Sequence, residues 1–248
     1  VNGQWKTELQ TTTDATGAYG FDLTKAATTN AAAVAEINAA KAISASNIRV
    51  VVEAGGYDQN TGQQVGQLVA GANIQTLTGN QTATVAAVTP LTMVLASSST
   101  LSEDQLKAQL GITGVSDLST FNPVAAMSSS NPGMVQLGQS VFTIQQTMYT
   151  LIQNAAAVHA GGGTVTADAL SSALTSVVDA INANIATGAS SVTVNALTTA
   201  VIAEELGLDS TDVKVTTIAN AIIATNNSVS SYYSHLASAY LTLAQDPT

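Results

Sequence analysis

The chain has 248 residues and very little charge: 9% are Asp, Glu, Lys or Arg, against about 25% in an ordinary soluble domain. Sixteen acidic and six basic side chains leave a net charge of -10, which repels nucleic acid and anionic lipid, and no Lys/Arg cluster offsets it. The absence of cysteine excludes a disulfide framework, a thiolate nucleophile and Cys-based zinc or iron-sulfur sites.

In chain order, the first part reads as β with one inserted helix. Gln4 to Gln10 suits a strand, Asp14-Ala15-Thr16-Gly17 a tight turn, and Tyr19, Phe21 and Leu23 alternate at period two, which predicts a hairpin. Asn30 to Ile43 is Ala-rich, with Val34 and Ile37 three apart, and predicts a short helix. Ile48 to Ala54 is the clearest strand. Gln64 to Ala70, Asn73 to Leu77 and Gln81 to Val88 suit further short strands between Gly- and Asn-rich turns. The expectation for residues 1–88 is a small β-sandwich with a helical insertion.

After Thr89-Pro90 the period becomes helical. Ser102 and Gln105 form a capping box, with Leu101 placed to staple onto Leu106, and Gly111 ends that helix. Asn131-Pro132 starts another helix, with Asn at the N-cap and Pro at its first position. Met134, Leu137, Val141, Ile144, Met148, Leu151, Ala155 and Val158 then step by threes and fours as a heptad seam until Gly161-Gly162-Gly163 stops it. Flanks of Gln, Ser and Thr favour a buried bundle helix over a free coiled coil. Thr166 and Thr193 each precede a similar segment and predict two capped helices. Asp209 to Ala224 and Val229 to Ala244 read as two more, with a break or kink at Asn226-Asn227-Ser228. The fold class is therefore α+β: a sandwich over 1–88 and an α-helical bundle over 89–248.

The chemistry-bearing residues form no catalytic motif. There is no Gly-x-Ser-x-Gly elbow, no His-Glu-x-x-His, no phosphate loop and no dinucleotide fingerprint. His159 falls at a helix C-terminus, where a cation meets the dipole favourably, and His235 on a polar face or core edge. Glu103-Asp104 and Glu204-Glu205 are adjacent on helices, diverge around the axis and read as solvated or capping residues. Asp14, Asp22 and Asp58, in or beside β-turns, are the candidates for a loop calcium, although Asp-x-x-Gly is also an ordinary turn. No catalytic residue, cofactor or metal site is assigned. An enzyme would need His159 or His235 in a cleft beside a carboxylate and a hydroxyl.

The run Thr11-Thr12-Thr13-Asp14-Ala15-Thr16-Gly17-Ala18-Tyr19-Gly20-Phe21 resembles the hairpin of carboxypeptidase-regulatory-like, transthyretin-like β-sandwich modules. Val88-Thr89-Pro90-Leu91-Thr92, Leu101-Ser102 and Asp117 to Ala126 resemble the β-module-plus-helical-region arrangement of exported bacterial surface proteins and adhesins. The resemblance implies a secreted or cell-surface location. Such modules have a leading strand before the hairpin, whereas this chain opens at once on Val1-Asn2-Gly3, so a strand is expected to be missing. The expected function is a non-enzymatic extracellular structural protein, a subunit of a filament or layer or an adhesin segment. It would pair with itself as a homopolymer, through helix packing and through a strand carrying Val1, Asn2, Gln4, Trp5, Thr7 and Leu9. The alternative is a monomeric module binding carbohydrate, such as a surface glycan, and a secreted hydrolase comes third. No membrane-spanning segment is expected.

Overall fold

The computed structural model describes residues 9–12, 19–21, 23–43, 49–52, 68–71 and 87–245, which are mainly helical. Helices α1 (Leu23–Thr29) and α2 (Ala31–Ile43) pack on each other. Asn30 caps α2 by accepting from the Ala33 amide at 3.2 Å, so the helix starts where its Ala-rich run begins. Strands β1 (Arg49–Val52) and β2 (Leu68–Gly71) pair antiparallel, with Val50 opposite Ala70. They form the whole of the sheet among the described residues.

The expected β-sandwich is therefore wrong. Tyr19 to Phe21 is irregular, and Leu23, the last residue of the predicted alternation, opens α1 instead. A period-two pattern of three residues is too short to distinguish a strand from the approach to a helix. The Asp14 turn, the strand predicted over Asn73 to Leu77 and most of those predicted over Gln4 to Gln10 and Gln81 to Val88 lie outside the described residues; the described ends of the last two, Leu9-Gln10 and Ala87-Val88, are irregular. Of the two strands that do form, one contains the consecutive β-branched residues Val50, Val51 and Val52, and the other pairs with it through Leu68 and Val69. Leu68 is buried in the main core and β2 packs on a helix, not on a second sheet.

That helix is α3 (Pro90–Ser97), whose N-cap Thr89 forms a reciprocal capping box with Thr92. It is followed by α4 (Glu103–Gln109), with the predicted Ser102/Gln105 capping box, and α5 (Pro123–Met127), capped by Asn122. The long helices are α6 (Pro132–His159), α7 (Ala167–Ala186), α8 (Val194–Leu206) and α9 (Val213–Gln245). Asn131 caps α6 by accepting from the Gly133 amide at 2.9 Å; Thr166 and Thr193 cap α7 and α8 as expected. Gly161 and Gly162 follow α6 with φ of 63° and 80°, a left-handed conformation that glycine adopts without a Cβ penalty.

Helix α6 is the centre of the bundle and packs against α3, α5, α7, α8 and α9. Val141, Met148, Leu151 and Ala155 of the predicted seam are buried, whereas Leu137, Ile144 and Val158 are half-buried and Met134 is 38% exposed. Val135, Phe142, Ile152 and Ala156 are buried instead. With five neighbours the covered face is wider than a two-helix a/d stripe. A second, smaller cluster joins Met127, Phe142 and Tyr233, with the last two rings edge-to-face at 4.8 Å. Helix α9 runs through Asn226 without the expected break. The Asn226 amide donates to Asn195 Oδ1 on α8 at 3.3 Å. Its side chain is thus used between helices and does not compete for the local backbone.

Gly138 is buried where α6 crosses α5. A Cβ there would lie 2.5 Å from the Pro123 carbonyl oxygen and 2.8 Å from the Met127 nitrogen. In an ordinary helix Gly→Ala gains about 0.5–1 kcal/mol. Here the backbone of α5 must move, so Gly138→Ala should lose about 1–3 kcal/mol in urea unfolding. A stabilised variant would contradict the close approach.

Candidate functional site

The folded chain brings together one cluster that unites an imidazole, a carboxylate and hydroxyls. His159 is the last residue of α6, Ser172 and Ser176 lie one turn apart on α7, and Glu205 is in the last turn of α8. The i, i+4 spacing puts both serines on one face. The Glu205 side chain is only 1% exposed, while that of His159 is 44% exposed. Ser176 Oγ donates to Glu205 Oε1 at 2.7 Å and Ser172 Oγ approaches Oε2 at 3.3 Å. His159 Nδ1 lies 2.8 Å from Oε2.

This corrects the expectation that Glu204-Glu205 is a solvated or capping pair. Glu204 is exposed, but the Glu205 carboxyl group is buried and has three side-chain partners. Such a carboxylate needs compensating hydrogen bonds because the charged form is poorly solvated inside a protein. Adjacency on a helix correctly separated the two; which helices covered one of them was not visible in the pattern.

The directions of these bonds decide the chemistry. A nucleophilic relay requires the serine hydroxyl to meet the imidazole, and the imidazole to meet the acid through its other nitrogen. Here both hydroxyls meet the carboxylate. The acid is the shared acceptor of the group, and the arrangement clasps α6, α7 and α8 together. The cluster lines neither of two depressions beside α6, one bordered by Gln136 and Ser140 and the other by Thr143 and Thr147.

The other candidates are dispersed. His235 is exposed on α9. Glu103 and Asp104 both pair with Lys107, at 3.2 and 3.0 Å, and Glu103 Oε1 also accepts from the Leu118 amide at 2.9 Å. These bonds to the carboxylates hold the Lys107 ammonium above its ordinary range, the Asp104 contact first. Asp14, Asp22 and Asp58 lie outside the described residues, as do Val1, Asn2, Gln4, Trp5 and Thr7 of the proposed assembly strand. Leu9 is half-buried in irregular backbone. Among the described residues no three His, Cys, Asp or Glu side chains are grouped to hold a metal, and no helix is long and apolar enough to cross a membrane.

Two stability measurements follow from the clasp. Ser176→Ala should cost about 1.5–3 kcal/mol in chemical unfolding, the range for a hydrogen bond to a charged group; Ser172→Ala, at the longer distance, should cost less. The Glu204 carboxyl is held above its usual range by partial burial first, then by the charges of Asp179 and Glu205, with Ser176 acting in the opposite sense. A raised folded-state carboxyl weakens the fold as pH rises through its titration. Glu204→Gln should therefore raise Tm at pH 7, with about 0.3–1 kcal/mol expected for removing an anion from a helix C-terminus. The gain should shrink as pH falls through the folded carboxyl's range, and a pH-independent effect would contradict this cause.

Comparison with protein-family models, with curated proteins and with solved structures finds no match to this chain.

Proposed function

We propose that this chain is a non-catalytic structural module of an extracellular assembly, a helical bundle that associates with further copies of itself through surfaces of hydroxyls and amides. The observation that carries the reading is the charge of the longest helix, α9: among its 33 residues Lys214 is the one Asp, Glu, Lys or Arg. Helices that face a crowded cytosolic solvent ordinarily carry interspersed charges that keep copies apart. Along α9 that repulsion is missing. Val213 and Tyr232 add exposed apolar surface to α9, at 79% and 62%. The alternation of apolar interior and uncharged exterior supports packing against like surfaces, with amides and hydroxyls satisfying one another across the contact.

Strand addition is not carried forward as the joining mechanism. It rested on a sandwich short of one strand, and the described strands form a two-stranded pair beside α3. Helix packing remains as the mode of association.

Sedimentation velocity over a concentration series, with negative-stain microscopy of the same samples, tests this reading. The expected result is mass that grows with concentration and changes little between low and high salt, since uncharged contacts are not screened. A strict monomer at every concentration would reject self-association, and association abolished by salt would reject an uncharged interface.

A further inference from the structure

We propose that Met134 is a reversible oxidation site, at which a hydroperoxide delivers one oxygen atom to the chain as a methionine sulfoxide. The proposal goes beyond the assembly role and does not rest on it.

The chain has no cysteine, so its sulfur is confined to four thioethers, Met93, Met127, Met134 and Met148. A reactive thiolate would compete with them for peroxide, and this chain has none. The fold then sorts the four. Met93 and Met148 are 0% exposed in the main core, and Met127 is 8% exposed in the small cluster with Phe142 and Tyr233. Met134 is 38% exposed and belongs to neither apolar cluster. Its place on α6 explains the difference. Met134 lies in the first turn, three residues after the N-cap Asn131, whose Oδ1 accepts from the Met134 amide at 3.4 Å. Helical side chains lean toward the N-terminus, so a residue in the first turn leans past the helix start and has no preceding turn to cover. Asn131, Pro132 and Gly133 around it are exposed as well.

In the reaction a lone pair of the Met134 sulfur attacks the terminal oxygen of the hydroperoxide. The S–O bond forms as the O–O bond breaks, sulfur is oxidised by two electrons, and the displaced oxygen leaves with the hydroperoxide's own proton as water or an alcohol. The product is uncharged but polar. At a solvent-facing position that polarity needs no partner from the protein, whereas at Met93 or Met148 the same oxygen would enter a packed core, where a polar group without a hydrogen bond is costly. An exposed sulfoxide is also open to methionine sulfoxide reductases. These enzymes return it to the thioether with electrons from a dithiol, and the oxygen leaves as water.

The test adds hydrogen peroxide to the full native chain and follows oxygen uptake in each methionine-containing peptic peptide by mass spectrometry. Met134 should gain one oxygen at least about tenfold faster than the other three, which react only as the fold opens. Met134→Leu should remove the fast phase and leave the slow ones unchanged. The singly oxidised chain should unfold at the same Tm as Met134→Gln, whose amide places a polar group of similar size there. Reductases for both sulfoxide epimers, with dithiothreitol as the dithiol, should then restore the original mass. Comparable rates at Met93, Met127 or Met148, or a fast phase that survives Met134→Leu, would overturn the site. A Tm well below that of Met134→Gln, or a sulfoxide that the reductases leave in place, would overturn a tolerated and reversible modification.

Discussion

A 28-residue helix without one Asp, Glu, Lys or Arg side chain runs through the middle of this bundle, in contact with five other helices. Its freedom from charge is the constraint on which the rest depends. A helix covered on so many sides cannot carry ionised side chains without large desolvation costs. Its polar positions are instead hydroxyls and amides. Thr147 and Thr150 return their hydroxyls to α6 carbonyls, so they can lie near the core without leaving a donor stranded. β-Branched threonines lower helix propensity, and the helix therefore owes its stability to its neighbours more than to its own backbone.

The neighbours are fixed by a few polar contacts at the edges of the apolar core. At one edge the buried Glu205 carboxylate joins the ends of α6 and α8 to the side of α7. Elsewhere Gln109, also buried, donates from its amide to the Ala189 carbonyl and accepts from the Asn184 amide, while its own carbonyl accepts from Val192. That set ties α4 to the segment between α7 and α8, which in turn positions the first turn of α8. Between α8 and α9, Asn195, Asn226 and Asn227 exchange amide hydrogen bonds. Directional contacts of this kind fix the register that apolar packing alone leaves loosely specified.

What could be read from the chain follows the range of the interaction involved. Helix starts are local: Ser102, Asn131, Thr166 and Thr193 each cap within three residues, and all four cap the helices their sequence predicts. Strand pairing is not local. The Tyr19, Phe21, Leu23 alternation looked like a hairpin arm because period two over three residues has no length to be tested against, and Leu23 instead begins a helix. The heptad of α6 predicts one narrow seam, but the number of partners determines how wide a stripe is buried, and Met134 at its start remains exposed. Of the break or kink expected at Asn226-Asn227-Ser228, the break does not occur, for a related reason: a polar triplet favours a turn when no partner is available, and Asn195 supplies one. The clasp was half visible. His159 was placed at a helix C-terminus and the two serines share a face, but the burial of Glu205 depends on three helices meeting and leaves no mark in its own neighbourhood.

The central claim is that α6 is the axis on which the bundle is assembled, and native-state hydrogen exchange tests it directly. The amides from Val141 to Ala156 should be the slowest in the chain and should exchange only through global unfolding, with the same dependence on denaturant as the whole transition. Exchange of these amides through local opening would contradict an account in which every other long helix is held by its contact with α6.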